Sequence, residues 1–192
     1  MNNSATRKKR NLIILGIAVV ALILGALFDH IMDVSEKHTY PREYSEYVEL
    51  YSAEYGVPEA VIYAVIKTES NFDKNAVSSA PAFGLMQLTE ETYEWVSGKL
   101  GDKASAFAIY DSEVNIRYGV WYLSYLYGKF DSWDVAFAAY NAGPGNVMRW
   151  LEDSEYSSDG ATLDHIPFKE TRNYVEKVNK AIKKYNELYY SK

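Results

Sequence analysis

Hydrophobic and polar positions alternate along this chain in two distinct ways. From Leu12 to Phe28 every residue is apolar or small, LIILGIAVVALILGALF, with no polar face at all. From Tyr40 onward apolar residues recur three and four positions apart, which predicts amphipathic helices and leaves little room for strands. Tyr44, Tyr47, Val48, Tyr51 and Tyr55 mark one helix, closed by Gly56. Pro58 suits the first turn of the next, through Val61, Ile62, Val65 and Ile66. Thr89 is positioned to cap a short helix with Tyr93 and Val96, and Asp111 or Ser112 a longer one with Ile116, Val120, Leu123 and Tyr127. Ser132 heads a helix from Trp133 to about Asn141, which Gly143-Pro144-Gly145 ends. After a polar loop at Asp153–Gly160, Pro167 precedes a last helix with its seam at Val175, Val178, Ile182, Tyr185 and Tyr189. The pattern predicts a mainly α domain over residues 40–192.

The apolar run has a different destination. Seventeen residues rising about 1.5 Å each span roughly 25 Å, slightly under a bilayer's hydrocarbon thickness. Arg7, Lys8, Lys9 and Arg10 precede it with no acid among residues 1–11, which orients the amino terminus to the cytoplasm. The expected order is a basic cytoplasmic tail (1–11), a single transmembrane helix (12–28), a short tether (29–39) and an extracytoplasmic domain. A cleaved signal peptide is the rival, but the run is long for one and Leu24-Gly25-Ala26 is a weak cleavage site. A buried core helix fits poorly beside the basic cluster.

Charge and composition narrow the chemistry. The net charge of -6 conceals the basic tail: the other 16 bases face 26 acids, a poor surface for nucleic acid phosphates. With no Cys, thiol catalysis and Cys-built metal sites are excluded. The three His, at 30, 38 and 165, lack metal-ligand spacing, so neither metal nor organic cofactor is expected. Eighteen Tyr and four Trp are many for 192 residues, but most fall on apolar seams. Trp95, Trp121, Trp133 and Trp150 are therefore expected to pack rather than to hold substrate.

Glu69 is the chemically odd residue. It lies seven positions from Ile62, four from Val65 and three from Ile66, on the same helical face. A carboxyl there is either desolvated, which raises its pKa and suits a general acid, or it escapes to solvent or to Lys67 or Lys74. Gln87, Tyr140 and Asn141 stand at helix ends and turns, where an amide or phenol serves either a sugar's polar groups or the nearby backbone.

Four blocks in order carry a resemblance: Glu69-Ser70; Gly84-Leu85-Met86-Gln87; Ala139-Tyr140-Asn141-Ala142-Gly143-Pro144-Gly145; and Glu170-Thr171-Arg172-Asn173-Tyr174-Val175. Together with Asp111–Ile116 and Tyr122-Leu123 they resemble the soluble-type lytic transglycosylase domain of glycoside hydrolase family 23, which includes goose-type lysozyme. The resemblance covers roughly Glu46 to Tyr185. It implies a lysozyme-like helical domain that cleaves the MurNAc-β-1,4-GlcNAc bond of peptidoglycan. Glu69 would be the acid and then the base. Ser78, Met86, Gln87, Tyr140, Asn141 and Tyr174 would line the substrate cleft, and Ser70 would serve structure. Pro81, where the family has Gly, and Thr89-Glu90-Glu91 after Gln87-Leu88 depart from the pattern. Besides Glu69 the blocks hold one further acid, Glu170, to which the resemblance gives no catalytic role; the resemblance implies attack by the substrate's own C6 hydroxyl and a 1,6-anhydro-MurNAc product. A goose-lysozyme-like hydrolase, with Asp73, Glu90 or Glu91 as base, is the alternative within the family. A non-catalytic wall-binding or scaffolding module is the alternative outside it.

Overall fold

The computed structural model describes residues 3–102 and 105–191. Met1 and Asn2 of the expected tail, and Lys192 of the expected domain, lie outside the described residues. The chain divides into two compact units, Met1–Pro41 and Arg42–Lys192.

The first unit is one helix, α1 (Asn3–Thr39). Residues Arg7–Thr39 form a helix long enough to cross a membrane, and an 18-residue stretch within it has a mean hydropathy of 2.7, none of that stretch buried within the protein. The expected tether is helical too. Its polar residues bond along the helix, with Lys37 paired to Asp33 at 2.8 Å and Thr39 Oγ1 donating to Ser35 O. Spacing of polar i,i+4 partners extended the helix where apolar periodicity gave no signal.

Among its described residues the second unit has seven α-helices and a small ribbon: α2 (Ser45–Tyr55), α3 (Glu59–Glu69), β1 (Ala82–Phe83), β2 (Leu88–Thr89), α4 (Glu90–Leu100), α5 (Ser112–Phe130), α6 (Trp133–Ala142), α7 (Pro144–Glu152) and α8 (Lys169–Tyr185). The two strands pair antiparallel, Ala82 opposite Thr89 and Phe83 opposite Leu88. Helix starts follow the caps read from the sequence: Thr89, Asp111 and Ser132 each accept a backbone N–H of the first turn. Gly56 ends α2 in the left-handed conformation, φ 71°. Gly143 ends α6 as expected, but Pro144 then opens α7. Proline at a first helical position serves as a start as readily as a stop. A 3₁₀ turn at Ala106–Tyr110 and a π turn at Asn186–Tyr190 carried no sequence signal.

At the centre stands α3. All seven residues from Ala60 to Ile66 are buried, so this helix is apolar all round rather than on one stripe. α8 packs against it, with Tyr174, Val175, Val178, Ala181 and Tyr185 buried and the Tyr185 ring stacked on Tyr63 of α3. α6 packs on α8 and α5, and α2 on α5. Each fully buried Val or Ile on α3 contributes about 1.5–3 kcal/mol, which fixes the helix tightly enough to position what its last residue carries. That last residue is Glu69.

Candidate active site

Where α3 ends, the chain turns sharply through strained backbone. Asn71 (φ 51°) and Phe72 (φ 68°) both take the left-handed region. This costs a non-glycine residue about 1–2 kcal/mol each. Phe72 is held there by burial, with its ring 6.5 Å from that of Tyr63. Backbone strain retained beside a buried acid is a mark of functional sites.

Glu69 keeps some accessible surface as a residue, yet its carboxyl sits in dense surroundings. Burial pushes its pKa up from 4.5 to about 7, and Tyr174 opposes that rise. The C-terminal end of α3 also disfavours a negative charge there. Lys67 donates to Asn71 Oδ1, and burial and Tyr174 are what shift the carboxyl.

Two tyrosines flank the acid. The Tyr174 hydroxyl is buried without a partner in hydrogen-bonding geometry, although it lies close enough to Glu69 for each to shift the other's acidity. It is a donor poised toward the carboxyl rather than bonded to it. Burial, and then the Glu69 charge, holds the Tyr140 phenol well above its ordinary value, so it is a neutral donor. Tyr140 Oη donates to Met86 O at 2.8 Å.

That carbonyl belongs to a loop pinned at almost every residue. Ser70 Oγ donates to Leu85 O at 2.8 Å, tying the loop to the residue after the acid. The Met86 N–H donates to Asn115 Oδ1 at 2.8 Å. Asn115 Nδ2 in turn donates to Phe83 O at 3.0 Å and Ile109 O at 2.8 Å. Gln87 sits at φ 48°, and its Nε2 donates to Ala76 O and Gly84 O, which leaves its Oε1 as the side chain's open acceptor.

The expected site residues divide accordingly. Glu69, Tyr140 and Tyr174 come together. Asn141 lines a cavity of about 540 Å³ with Tyr140, Glu91, Trp95, Tyr122 and Tyr125, and its Oδ1 accepts from buried Thr171. Gln87 spends its donor on backbone. Ser78 is exposed, and its hydroxyl donates to Ala80 O within the loop. Met86 requires a correction. Its side chain is wholly buried, with the sulfur against Gly119, where an added Cβ would meet it at 2.3 Å. It has no surface to offer a saccharide, because a glycine on α5 lets it pack inward. Ser70 bonds only to backbone, as a structural residue does.

Sequence reasoning missed Asn115 and Thr171. Asn115 is 1% exposed, a lone amide on an apolar face of α5, and that isolation was the available signal. Of the alternative bases, Glu91 reaches the cavity, whereas Asp73 is exposed and accepts from Asn75 N–H. Among the described residues no group of His, Asp and Glu could hold a metal.

A family model described as the transglycosylase SLT domain matches residues 46–162. The chain therefore belongs to that family. It is 33% identical over 166 residues to the soluble lytic murein transglycosylase of Escherichia coli K12, which covers 84% of this chain and 25% of the relative. A membrane-bound lytic murein transglycosylase C of Yersinia pestis is 34% identical over 159 residues, covering 70% of this chain and 44% of that one. The crystal structure of an inactive Glu-to-Gln mutant of lytic transglycosylase Slt from Pseudomonas aeruginosa superimposes with a TM-score of 0.68 at 34% identity, over 77% of this chain and 24% of that one. The chain thus spans a quarter to under half of these relatives. The fold is the mainly helical, lysozyme-like one that the resemblance implied.

Proposed function

We propose that this chain is a membrane-anchored peptidoglycan lytic transglycosylase with Glu69 as its single acid and base. The observation that carries the reading is a carboxyl raised to about 7 by burial at the end of a buried helix and flanked by two neutral tyrosines. A carboxyl so tuned is part protonated near neutrality, as general acid catalysis needs. Relatives named as lytic murein transglycosylases, one of them inactive as a Glu-to-Gln mutant, support the assignment.

In this mechanism Glu69 gives its proton to the oxygen bridging MurNAc and GlcNAc as the C1–O bond breaks. The carboxylate then takes the proton of the MurNAc C6 hydroxyl, whose oxygen closes on C1. The product is a 1,6-anhydro ring, and no water enters. Attack from within the same sugar has the orientation advantage of an intramolecular reaction, so the second carboxylate usual in glycosidases is not required. Asn141 and the open Gln87 oxygen serve the substrate's polar groups. The apolar α1 spans the membrane, with Arg7–Arg10 on the cytoplasmic side and the catalytic unit outside.

One observation favours a second reading: Glu91 stands in the cavity wall, where a base activating water would make the protein a hydrolase. Mass spectrometry of digested, purified peptidoglycan separates the two. Transglycosylation gives anhydro ends, one water lighter than the reducing ends of hydrolysis. Binding to the wall without soluble product would make the protein a non-catalytic module.

A further inference from the structure

Charge on the second unit is unevenly spread, and one helix carries the exception. α8 holds six bases and two acids, whereas the rest of the unit holds nine bases and twenty-one acids. At about 100° per residue, Lys169, Lys177, Lys180, Lys183 and Lys184 fall within an arc of about 120°. The buried seam of Tyr174, Val178, Ala181 and Tyr185 lies on the other side. Lys169, Lys177, Lys180 and Lys183 are exposed. Lys184 reaches Glu187 at 3.7 Å, while Lys177, Lys180 and Lys183 form no ion pair with another described residue. The negative end of the helix accounts for bases in its last turn. It does not account for Lys177, two turns before that end.

The far end of this basic face is fastened to the point where the chain enters the unit. Arg42 is the unit's first residue. Its guanidinium carbon lies 5.6 Å from the ring centres of Tyr63 and Tyr189 and 5.5 Å from that of Tyr190. The guanidinium also pairs with Glu59 at 3.2 Å, and the Tyr190 hydroxyl donates to Glu59 at 2.7 Å. Tyr185, in the last turn of α8, stacks on Tyr63 with ring centres 5.3 Å apart. Cation–π contacts and ion pairs that share one guanidinium hold the end of α8 beside Arg42. Only thirteen residues separate Arg42 from Phe28, the end of the expected span. The lysine face therefore ends next to the residue through which the unit is tethered.

We propose that the lysine face of α8 docks on the anionic phosphate headgroups of the membrane that α1 spans. Lysine suits that partner. Its ammonium is a compact point charge that follows a diffuse layer of phosphates, without the planar fork that reads one phosphate in a fixed place. Tethering by a short segment raises the effective concentration of headgroups at the face. A nucleic acid strand running past α8 would instead meet the acids that dominate the rest of the unit. The dock rests on the membrane anchoring proposed above and adds to it. Because α8 also carries Tyr174, docking holds the catalytic unit near the bilayer, and salt or a change in lipid charge releases it.

The test uses the full chain in lipid nanodiscs, with a bimane label attached through Asn173→Cys, an exposed position on the lysine face of a chain that has no other cysteine. Lipids bearing a headgroup nitroxide quench the label at short range. Quenching should be strong in discs of phosphatidylglycerol mixed with phosphatidylcholine and weak in phosphatidylcholine alone. It should fade between about 0.1 M and about 1 M NaCl, as screening shortens electrostatic reach from about 10 Å to about 3 Å. Lys177→Glu with Lys180→Glu should lower the docked-to-free ratio about fivefold or more, and Lys177→Arg with Lys180→Arg should preserve it. Lys74→Glu with Lys129→Glu makes the same change in net charge at exposed positions off this helix and should leave the ratio unaltered. If the glutamate pair on α8 also lowers the melting temperature, the lipid and salt dependence of the parent decides. Equal quenching in the two lipid mixtures, or quenching that survives the glutamate pair in a folded protein, would overturn the dock. A label that ignores lipid charge but responds to added polyphosphate would assign the face to a soluble phosphate polymer, and would overturn it equally. A chain that co-elutes with the discs yet shows no dependence on lipid charge refutes the dock alone; a chain that does not co-elute refutes the anchor as well.

Discussion

Gly84 and Asn115 fit one another so closely that neither position tolerates change alone. A Cβ on Gly84 would lie 2.5 Å from Asn115 Nδ2 and 3.0 Å from Ile109 O, and Gly84 also has φ 77°. Asn115 cannot retreat, since it carries three hydrogen bonds, to Phe83, Met86 and Ile109, that fix the loop. Gly84→Ala should therefore destabilise by about 2 kcal/mol or more, from left-handed strain and overlap together. Urea unfolding will show this as a lower midpoint at unchanged slope. Asn115→Ala strands buried backbone groups and should cost about 1–3 kcal/mol by the same measurement.

Tyr174 separates stability from catalysis. Its hydroxyl is buried with no aligned hydrogen-bond partner, so Tyr174→Phe should leave the melting temperature unchanged at pH well below 7, where the Glu69 carboxyl is protonated. The same hydroxyl holds the Glu69 pKa down against burial. Without it the carboxyl rises further, and the basic limb of the kcat/KM profile should move to higher pH. Loss of orientation should lower the maximal rate about 10- to 100-fold. A profile that stays in place would show that Tyr174 acts elsewhere.

Glu69 also makes stability depend on pH. Its folded-state pKa of about 7 lies above the ordinary 4.5, so the native chain holds the proton more tightly than the unfolded one. That contribution is fully present below pH 4.5 and is lost as pH rises through about 7. Glu69→Gln is uncharged throughout and lacks this slope. Relative to wild type it should gain stability progressively between these limits and no further above them. Parallel denaturation curves across that range check the sign.

The amino-terminal helix makes its own prediction. Arginine at the middle of a spanning helix costs on the order of 2.5–3.5 kcal/mol. Val19→Arg combined with Val20→Arg should move the chain out of carbonate-washed membranes, whereas Val19→Leu with Val20→Leu should not. Equal retention of the two forms would refute anchoring by this helix.

What the sequence made legible was periodic or punctuated. The caps at Thr89, Asp111 and Ser132 and the stop at Gly56 are local backbone chemistry, so they stand where the residues are. Pro144 misled because the same ring that forbids a helix interior opens a helix. The proposed acid stood out because Glu69 breaks an apolar face three residues after Ile66. Asn115 was not visible as an anchor, since its partners Phe83, Met86 and Ile109 are brought to it only by tertiary folding. Met86 was misplaced for a related reason: its direction is set by the missing side chain of Gly119, 33 residues on.

The most direct test is a titration of the Glu69 carboxyl itself, followed by ¹³C NMR on side-chain-labelled protein with Glu69→Gln as the assignment control. A midpoint near 7 is expected, moving upward in Tyr174→Phe. A midpoint in the ordinary range near 4.5 would mean that the side chain is solvated and charged at neutral pH, and it would remove the proton donor on which the proposed reaction depends.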